Sequence, residues 1–264
     1  MKKTRLLTSA LSLALAGAIC VGFTACGDGP YKSKAYKMKS EEVTATEWVA
    51  AFKEDTFKNV KVEDTSIYDG EYEKKDGTWE DAKITIKTTI TVAEEVSYYK
   101  VEATVNKGGQ AIKDEYAKQS AEVYSTKGTD GKYTVVYKND DGKWAEKTEE
   151  YDAAASMLAR YLRYGAYQKL FKFDGADFGY MADIGAEGLT DEESALAWDL
   201  RNIRLKFKDG QFAAIFAEQF VTRSSEAVDN GDGSVSTSST DVARIFQMTT
   251  FTYGGQKLTV PKAG

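Results

Sequence analysis

Alternation of apolar and polar residues along short segments is the sequence feature that most constrains the fold of this chain. In residues 83–92, Ile84, Ile86, Ile90 and Val92 recur at even positions, separated mainly by lysine and threonine residues. Successive side chains of a strand point to opposite faces, so this pattern predicts a half-buried β-strand. A sheet with one apolar and one polar face is antiparallel in most cases. The same alternation occurs in three other segments, at Tyr99, Val101, Ala103 and Val105, at Tyr133, Val135 and Tyr137, and at Ile203, Leu205 and Phe207.

Five Asp-Gly dipeptides, each followed two residues later by an aromatic residue, punctuate the predicted strands. Asp-Gly supplies the positive φ angles that tight hairpin turns require, so the pattern favours an antiparallel meander. An alternative interpretation makes the aromatic residues a sugar-binding row, but turn chemistry explains the spacing without a ligand. The five sites are at residues 69–72, 76–79, 130–133, 141–144 and 209–212.

Two segments have helical patterns. Thr44 and Glu47 have the spacing of a capping box, which predicts a helix that runs to about Asp55. Residues 153–170 repeat apolar side chains every three or four positions, which predicts an amphipathic helix. We expect this second helix to cover the apolar face of the sheet rather than to bind a membrane. Residues 171–197, between the predicted helix and the next strand, are irregular and suggest either a packed connection or a lid over a pocket. Within them, Thr190 and Glu193 suggest one more capped turn of helix.

The N-terminal residues have the layout of a secretory signal, with basic residues first and an apolar run after them. Phe23-Thr24-Ala25-Cys26-Gly27 at its end resembles the lipobox of bacterial lipoproteins, although lipoboxes usually carry leucine where this chain has Phe23. Cys20 is the other candidate cysteine, and Cys26 is preferred because small residues flank it. The resemblance implies a diacylglyceryl thioether on Cys26 and an anchor on the extracytoplasmic face of the cell membrane. The organisation that we expect is a signal peptide at 1–25, a basic tether at 26–39 and a single domain at 40–264.

Charge is distributed unevenly along the chain. There are 35 basic and 41 acidic residues, and residues 1–25 hold three basic residues and no acidic ones. Residues 26–264 therefore carry a net charge of −9, of which +3 belongs to residues 27–39 and −12 to residues 40–264. A body this acidic argues against binding to nucleic acid, which requires positive surface. The basic tether suits either an anionic leaflet or a solvated spacer.

Residues that usually perform chemistry are scarce. The chain has no histidine, which excludes Ser-His-Asp and Cys-His catalytic arrangements and removes the commonest metal ligand. If Cys20 leaves with the signal and Cys26 is acylated, the folded body has no free cysteine. We therefore expect no catalytic residue, no metal site and no cofactor. A pair of carboxylates of the glycosidase type stays possible, although no pair is distinguished by apolar surroundings in the sequence.

The order of elements resembles the LolA/LppX/LprG-like group of lipoprotein folds. The residues behind the resemblance are the first helix from Trp48 to Phe52, the hairpin at 203–216 and the closing segment 251–261. The resemblance would cover nearly all of residues 40–264. It implies an α+β fold in which a curved antiparallel sheet forms a half-barrel, helices pack on its concave face, and acyl chains bind between them.

Three functional hypotheses follow. The first is a non-catalytic lipoprotein that binds a lipid or another apolar ligand in the half-barrel. The second is a ligand-free interaction or envelope-maintenance lipoprotein that acts through protein partners, and the third is an enzyme. In the first hypothesis the candidate lining residues are Ile84, Ile86, Val101, Leu158, Leu162, Phe178 and Met181. Side chains that fill the space completely would produce the same alternation, so a filled core is the alternative for all seven.

Overall fold

The structure, a computed structural model, describes residues 37–73, 76–107, 120–224, 228–229, 235–236 and 239–264. These residues form an open antiparallel sheet of 11 strands, a separate two-stranded ribbon and three α-helices. The antiparallel sheet expected from the alternation is therefore confirmed, and the described part of the chain is mostly β-structure with a few helices.

The strands and helices have the following bounds. The α-helices are α1 (Ala45–Ala51), α2 (Ala153–Leu162) and α3 (Asp191–Leu200), and 3₁₀ helices span Glu54–Phe57 and Arg163–Leu170. The first six strands are β1 (Asn59–Glu73), β2 (Trp79–Ala93), β3 (Val96–Lys107), β4 (Ala121–Lys127), β5 (Tyr133–Lys138) and β6 (Trp144–Glu149). The others are β7 (Phe171–Phe173), β8 (Tyr180–Ala182), β9 (Ile203–Lys208), β10 (Gln211–Ser224), β11 (Val228–Asp229), β12 (Val235–Ser236) and β13 (Ser239–Tyr253).

The sheet consists of two meanders joined in the middle. Its strand order is β6-β5-β4-β3-β2-β1-β13-β10-β9-β8-β7, so β6 and β7 form the two edges. The first meander runs outward from β1 to β6, and the second connects β7 to β10 and then β13. The two are joined by antiparallel pairing of β1 with β13, which extends from Val60 opposite Tyr253 to Gly70 opposite Ala243.

One face of the sheet, which we call the core face, carries the apolar side chains. The register aligns Val62 with Ile90 on β2 and with Phe251 on β13, and all three side chains are buried. Lys87 and Lys83, at odd positions of β2, belong to the opposite face. The alternation in the sequence thus correctly predicted which side of these strands faces the core.

The helices begin where the sequence predicts but end earlier. Thr44 caps α1 with both hydrogen bonds of the capping box, yet α1 ends at Ala51 rather than near Asp55. The predicted helix 153–170 is α-helical only as far as Leu162 and continues as a 3₁₀ helix. Gly165 lies in that continuation, where a Cβ atom would be 3.0 Å from Cβ of Phe52. Close packing against Phe52 accompanies the change of helix type.

Two other predictions about local structure need correction. The dipeptides at 76–77, 130–131, 141–142 and 209–210 lie between strands, as expected for hairpin turns. Asp69-Gly70 instead lies within β1, where a Cβ atom on Gly70 would be 2.4 Å from Cα of Ala243. This glycine permits close approach of two strands. The segment 171–197 is also more regular than expected, since it contains the hairpin β7–β8.

Trp48 of α1 lies at the centre of the part of the core that packs against the second meander. Its side chain is only 1% exposed, and Nε1 donates a hydrogen bond of 2.8 Å to the Tyr164 carbonyl oxygen. Its ring lies 4.9 Å from that of Phe207 and 5.0 Å from that of Tyr180, measured between centroids. Trp48 therefore connects α1, the 3₁₀ helix Arg163–Leu170 and the second meander.

We expect Trp48→Ala to lower the free energy of unfolding by about 3–5 kcal/mol, because it leaves a cavity between the helices and the sheet. Urea denaturation followed by circular dichroism measures the change. Val49→Ala is the matched control, since Val49 is the next residue of the same helix and is 50% exposed. A loss of stability no larger for Trp48→Ala than for Val49→Ala would contradict the central place of Trp48 in the core.

Candidate functional site

The seven candidate lining residues do not surround a single space. Val101 and Leu158 are buried in the main core, and Leu162 is partly buried against it. Ile84 is buried in a second, smaller cluster, and Ile86 contacts both clusters.

The remaining candidates lie elsewhere. Met181 follows Tyr180 on β8, and Tyr180 is on the core face opposite Leu205, so Met181 points to the other face. Phe178 is 52% exposed in the turn between β7 and β8. Cys26, the predicted lipidation site, lies outside the described residues.

Aromatic rings pack between helices α1 and α2 and the core face near β10 and β13. Phe52 of α1 lies 4.5 Å from Phe212, and Phe212 lies 4.7 Å from Phe251, measured between ring centroids. Tyr161 of α2 meets Phe251 edge to face at 5.1 Å. Rings in contact at these distances leave no room for a ligand among them.

A groove remains beside α2, which we call the α2 groove. Its volume is about 240 Å³, and it lies between α2, the 3₁₀ helix Glu54–Phe57 and the β2–β3 turn. Its apolar lining comes from Phe57, Val92, Val96, Tyr133, Ala155, Leu158, Ala159 and Leu162. Its polar and charged lining comes from Glu54, Lys58, Glu94, Glu95, Ser97, Lys127 and Asp152.

Two of the candidates from the sequence, Leu158 and Leu162, line the α2 groove. Sequence reasoning missed Ala155 and Ala159, which are both exposed and lie one helical turn apart. Their small side chains leave the groove open toward solvent. The available signal was a pair of alanines with i, i+4 spacing beside the apolar stripe of the helix.

A polar network lies on the core face beyond the aromatic rings. Asp64 of β1 is 7% exposed, and its Oδ1 accepts hydrogen bonds from Thr249 Oγ1 at 2.5 Å and Gln247 Nε2 at 2.8 Å. Ser66 Oγ donates to Oδ2 at 3.3 Å. These donors satisfy the charge of a carboxylate that would be costly to bury alone. We call this group the Asp64 network.

Side chains of α2 border the Asp64 network. Arg160 Nη2 donates a hydrogen bond of 2.6 Å to the Tyr161 hydroxyl oxygen, and its guanidinium lies over the Tyr161 ring. Burial raises the pKa of Tyr161 to about 12, with the Arg160 charge opposing the rise and the Asp64 charge adding to it. Among the described residues, Arg160 Nε is a buried polar atom without a hydrogen-bond partner.

Carboxylates are the remaining candidates for chemistry in a chain without histidine. Asp64 is the one Asp or Glu residue that is buried in the described part of the chain. In the same part, no three His, Cys, Asp or Glu side chains are grouped so that they could hold a metal ion. Of the helices described, none has the length and apolar character needed to cross a membrane.

The raised pKa of Tyr161 predicts a stability change in alkali. Tyr161 stays neutral in the folded chain until pH about 12 but ionises near pH 10 when unfolded, so its contribution is lost as pH rises through this range. We expect Tyr161→Phe to reduce the loss of unfolding free energy between about pH 9 and about pH 11 by about 1 kcal/mol. Urea titrations at the two pH values measure the effect. Tyr151→Phe, at a tyrosine that is 53% exposed, should behave as the wild type, and equal losses in all three proteins would contradict the prediction.

Comparison with known proteins identifies no relative of this chain. No protein-family model matches the chain, and a search of the curated proteins finds no match either.

Proposed function

We propose that the protein is a lipoprotein, anchored through Cys26 on the extracytoplasmic face of the cell membrane, that binds a lipid or other apolar ligand without catalysis. We further propose that the sheet curves into a half-barrel of the LolA/LppX/LprG-like type, with α1 and α2 on its concave side. Both helices contain residues of the main core on the apolar face of the sheet, which supports this arrangement.

The observation that carries the binding proposal is the composition of the α2 groove. Its floor is aliphatic and aromatic, while its edge holds both lysines and carboxylates, including Lys58, Lys127 and Glu94. Ligand pockets are typically apolar with a few polar groups that fix orientation. A single acyl chain along Leu158 and Leu162, with its polar head at the charged edge, matches this distribution.

A second candidate function has its own support. Ligand cavities usually measure about 300–1,000 Å³, and the α2 groove is smaller, at about 240 Å³. The rings of Phe52, Phe212 and Phe251 also occupy the space in which a half-barrel carrier would hold its ligand. These facts favour an interaction or envelope-maintenance lipoprotein that binds no ligand and acts through protein partners.

The anchor can be tested directly. We expect Cys26→Ala to lose the two acyl chains that hold the protein on the bilayer, because stable anchoring requires more than one chain. Cell fractionation should then find less of the protein in the detergent-soluble membrane fraction. Cys20→Ala is the matched control and should stay in the membrane. An uncleaved signal peptide would itself hold the chain in the membrane, so only the cleaved Cys26→Ala protein is informative. If that cleaved protein stays in the membrane fraction, the proposed anchor at Cys26 is wrong.

Ligand binding can be tested with the full chain, because buried Ser40 and its hydrogen bond to Ala176 belong to the fold. Native mass spectrometry of the protein released from detergent would identify bound lipid, and titration with a dansyl-labelled fatty acid would measure affinity. We expect Ala159→Trp, which fills the α2 groove from its exposed side, to weaken binding about tenfold, or about 1.4 kcal/mol. The control is Ser156→Trp on the same helix, since Ser156 is exposed and outside the groove lining.

The two candidate functions give different results in this experiment. A bound lipid together with a selective effect of Ala159→Trp supports the carrier. No bound lipid and no saturable fatty-acid binding would leave the ligand-free interaction protein, and protein partners would then be sought by cross-linking in intact cells.

A further inference from the structure

The point at which the N-terminal segment leaves the body is fixed in the fold. The Ser40 amide donates a hydrogen bond of 2.7 Å to the Ala176 carbonyl oxygen, and the Glu41 amide donates one of 2.9 Å to the Phe207 carbonyl oxygen. The Ser40 hydroxyl in turn accepts a 3.1 Å hydrogen bond from the Phe207 amide. Residues 37–41 are thereby held against β9 and against the turn between β7 and β8.

Lys206 connects this segment to the same turn. The side chain is almost fully buried, and its Nζ donates hydrogen bonds to the carbonyl oxygens of Met38 and Asp177. Burial lowers the pKa of the Lys206 ammonium group, with the Asp177 charge opposing the change and the Lys39 charge adding to it. An exposed ion pair between Lys39 and Asp177 adds a second link.

The turn at residues 174–179, which we call the Phe178 turn, presents its aromatic ring to solvent. It is closed by hydrogen bonds of 2.8 Å from the Asp174 amide to the Gly179 carbonyl and from the Gly179 amide to the Gly175 carbonyl. Gly179 has φ of +73°, and a Cβ atom there would be 2.4 Å from the Leu205 carbonyl oxygen. A well-defined turn therefore holds Phe178 with 52% of its surface exposed. Single exposed aromatic rings are common on protein surfaces. Phe178 differs from them because its turn lies beside the N-terminal segment that leads to the predicted anchor.

Charge around the Phe178 turn differs from charge over the rest of the body. Segments 37–41, 174–179 and 206–210, which are joined by the hydrogen bonds above, hold four basic and four acidic residues and are neutral together. Residues 40–264 as a whole carry −12. Lys206 is buried, so the exposed charged residues of these segments sum to −1. An anionic bilayer repels the acidic body, and the repulsion is weakest where the local net charge is close to zero.

Chain length keeps the Phe178 turn close to the anchor. Lys37 follows Cys26 by 11 residues, which span at most about 40 Å when fully extended. The anchored body therefore meets the bilayer repeatedly at high effective concentration. An aromatic ring inserted at the headgroup level is favoured over the same ring in water.

We propose that the Phe178 turn is a membrane-contact site, so that the protein rests on the anionic bilayer with the β7–β8 edge of its sheet. The proposal rests on the anchor at Cys26, and it adds an orientation that the anchor alone does not impose. The opposite edge, β6, is turned away from the bilayer.

The experiment places an NBD fluorophore on a single cysteine of the full-length lipoprotein, purified from the membrane and reconstituted in vesicles of phosphatidylethanolamine and phosphatidylglycerol. Ala176→Cys reports on the Phe178 turn and leaves Phe178 intact. Asp140→Cys is the control, because Asp140 lies exposed in the turn between β5 and β6, near the other edge and at the other end of the strands. Nitroxide-labelled lipids quench only a fluorophore that lies at the bilayer.

Quenching at residue 176 should exceed quenching at residue 140 by about twofold or more, and Phe178→Ser should abolish the difference. Circular dichroism and flotation with the vesicles show whether each variant is folded and anchored. Flotation with equal quenching at both positions would overturn the membrane-contact site and leave the anchor standing. Failure of the unsubstituted Phe178 protein to float would overturn the anchor, and the membrane-contact site with it.

Discussion

The pairing of β1 with β13 is the constraint on which the rest of the structure depends. These strands are distant in sequence, and their pairing joins the two meanders into one sheet. The Asp64 network supports the register of this pairing, because Asp64 on β1 lies opposite Thr249 on β13 and accepts hydrogen bonds from Thr249 and Gln247. A shift of two residues would keep the same face inward but would replace Thr249, opposite Asp64, with Gln247 or Phe251. The buried carboxylate would then lose its hydrogen bond to Thr249, which opposes the shift.

Once β1 and β13 are paired, the helices can cover both meanders at once. Trp48 of α1 contacts rings from β7, β8 and β9, whereas α2 packs on β2 and β3. The aromatic core between them is continuous through Phe212 and Phe251, which come from β10 and β13. The same packing that gives the fold a well-ordered interior leaves the α2 groove open beside α2. A ligand, if bound there, would be held at the border of the core and near solvent.

Sequence reasoning succeeded where a local rule determines the outcome. Strand alternation gave the inward positions of β2, and the capping boxes at Thr44 and Thr190 both form. It failed where contacts with distant segments decide. Helix α2 ends at Leu162, although the apolar pattern in the sequence continues to residue 170. Gly70 does not form a turn but lies within β1, where it allows Ala243 of the neighbouring strand to approach closely. The same limit applies to the candidate lining residues. Leu158 is buried in the core, whereas Met181 lies on the opposite face of the sheet and Phe178 is exposed in a turn. Sheet register and turn geometry determine these positions, and the local sequence pattern contains neither.

The Asp64 network also divides the core face into two apolar regions. On one side are the aromatic rings and α2, and on the other is the small cluster around Ala82 and Ile84. The row formed by Thr88, Asp64 and Thr249 crosses β2, β1 and β13 at matching register positions, and all three side chains are buried. The lining of the α2 groove does not include these three residues, so the row separates apolar clusters within the core and does not bound the groove. Because an apolar side chain packed against this row would bury its polar groups without partners, the network that supports the strand register also keeps the two apolar clusters apart.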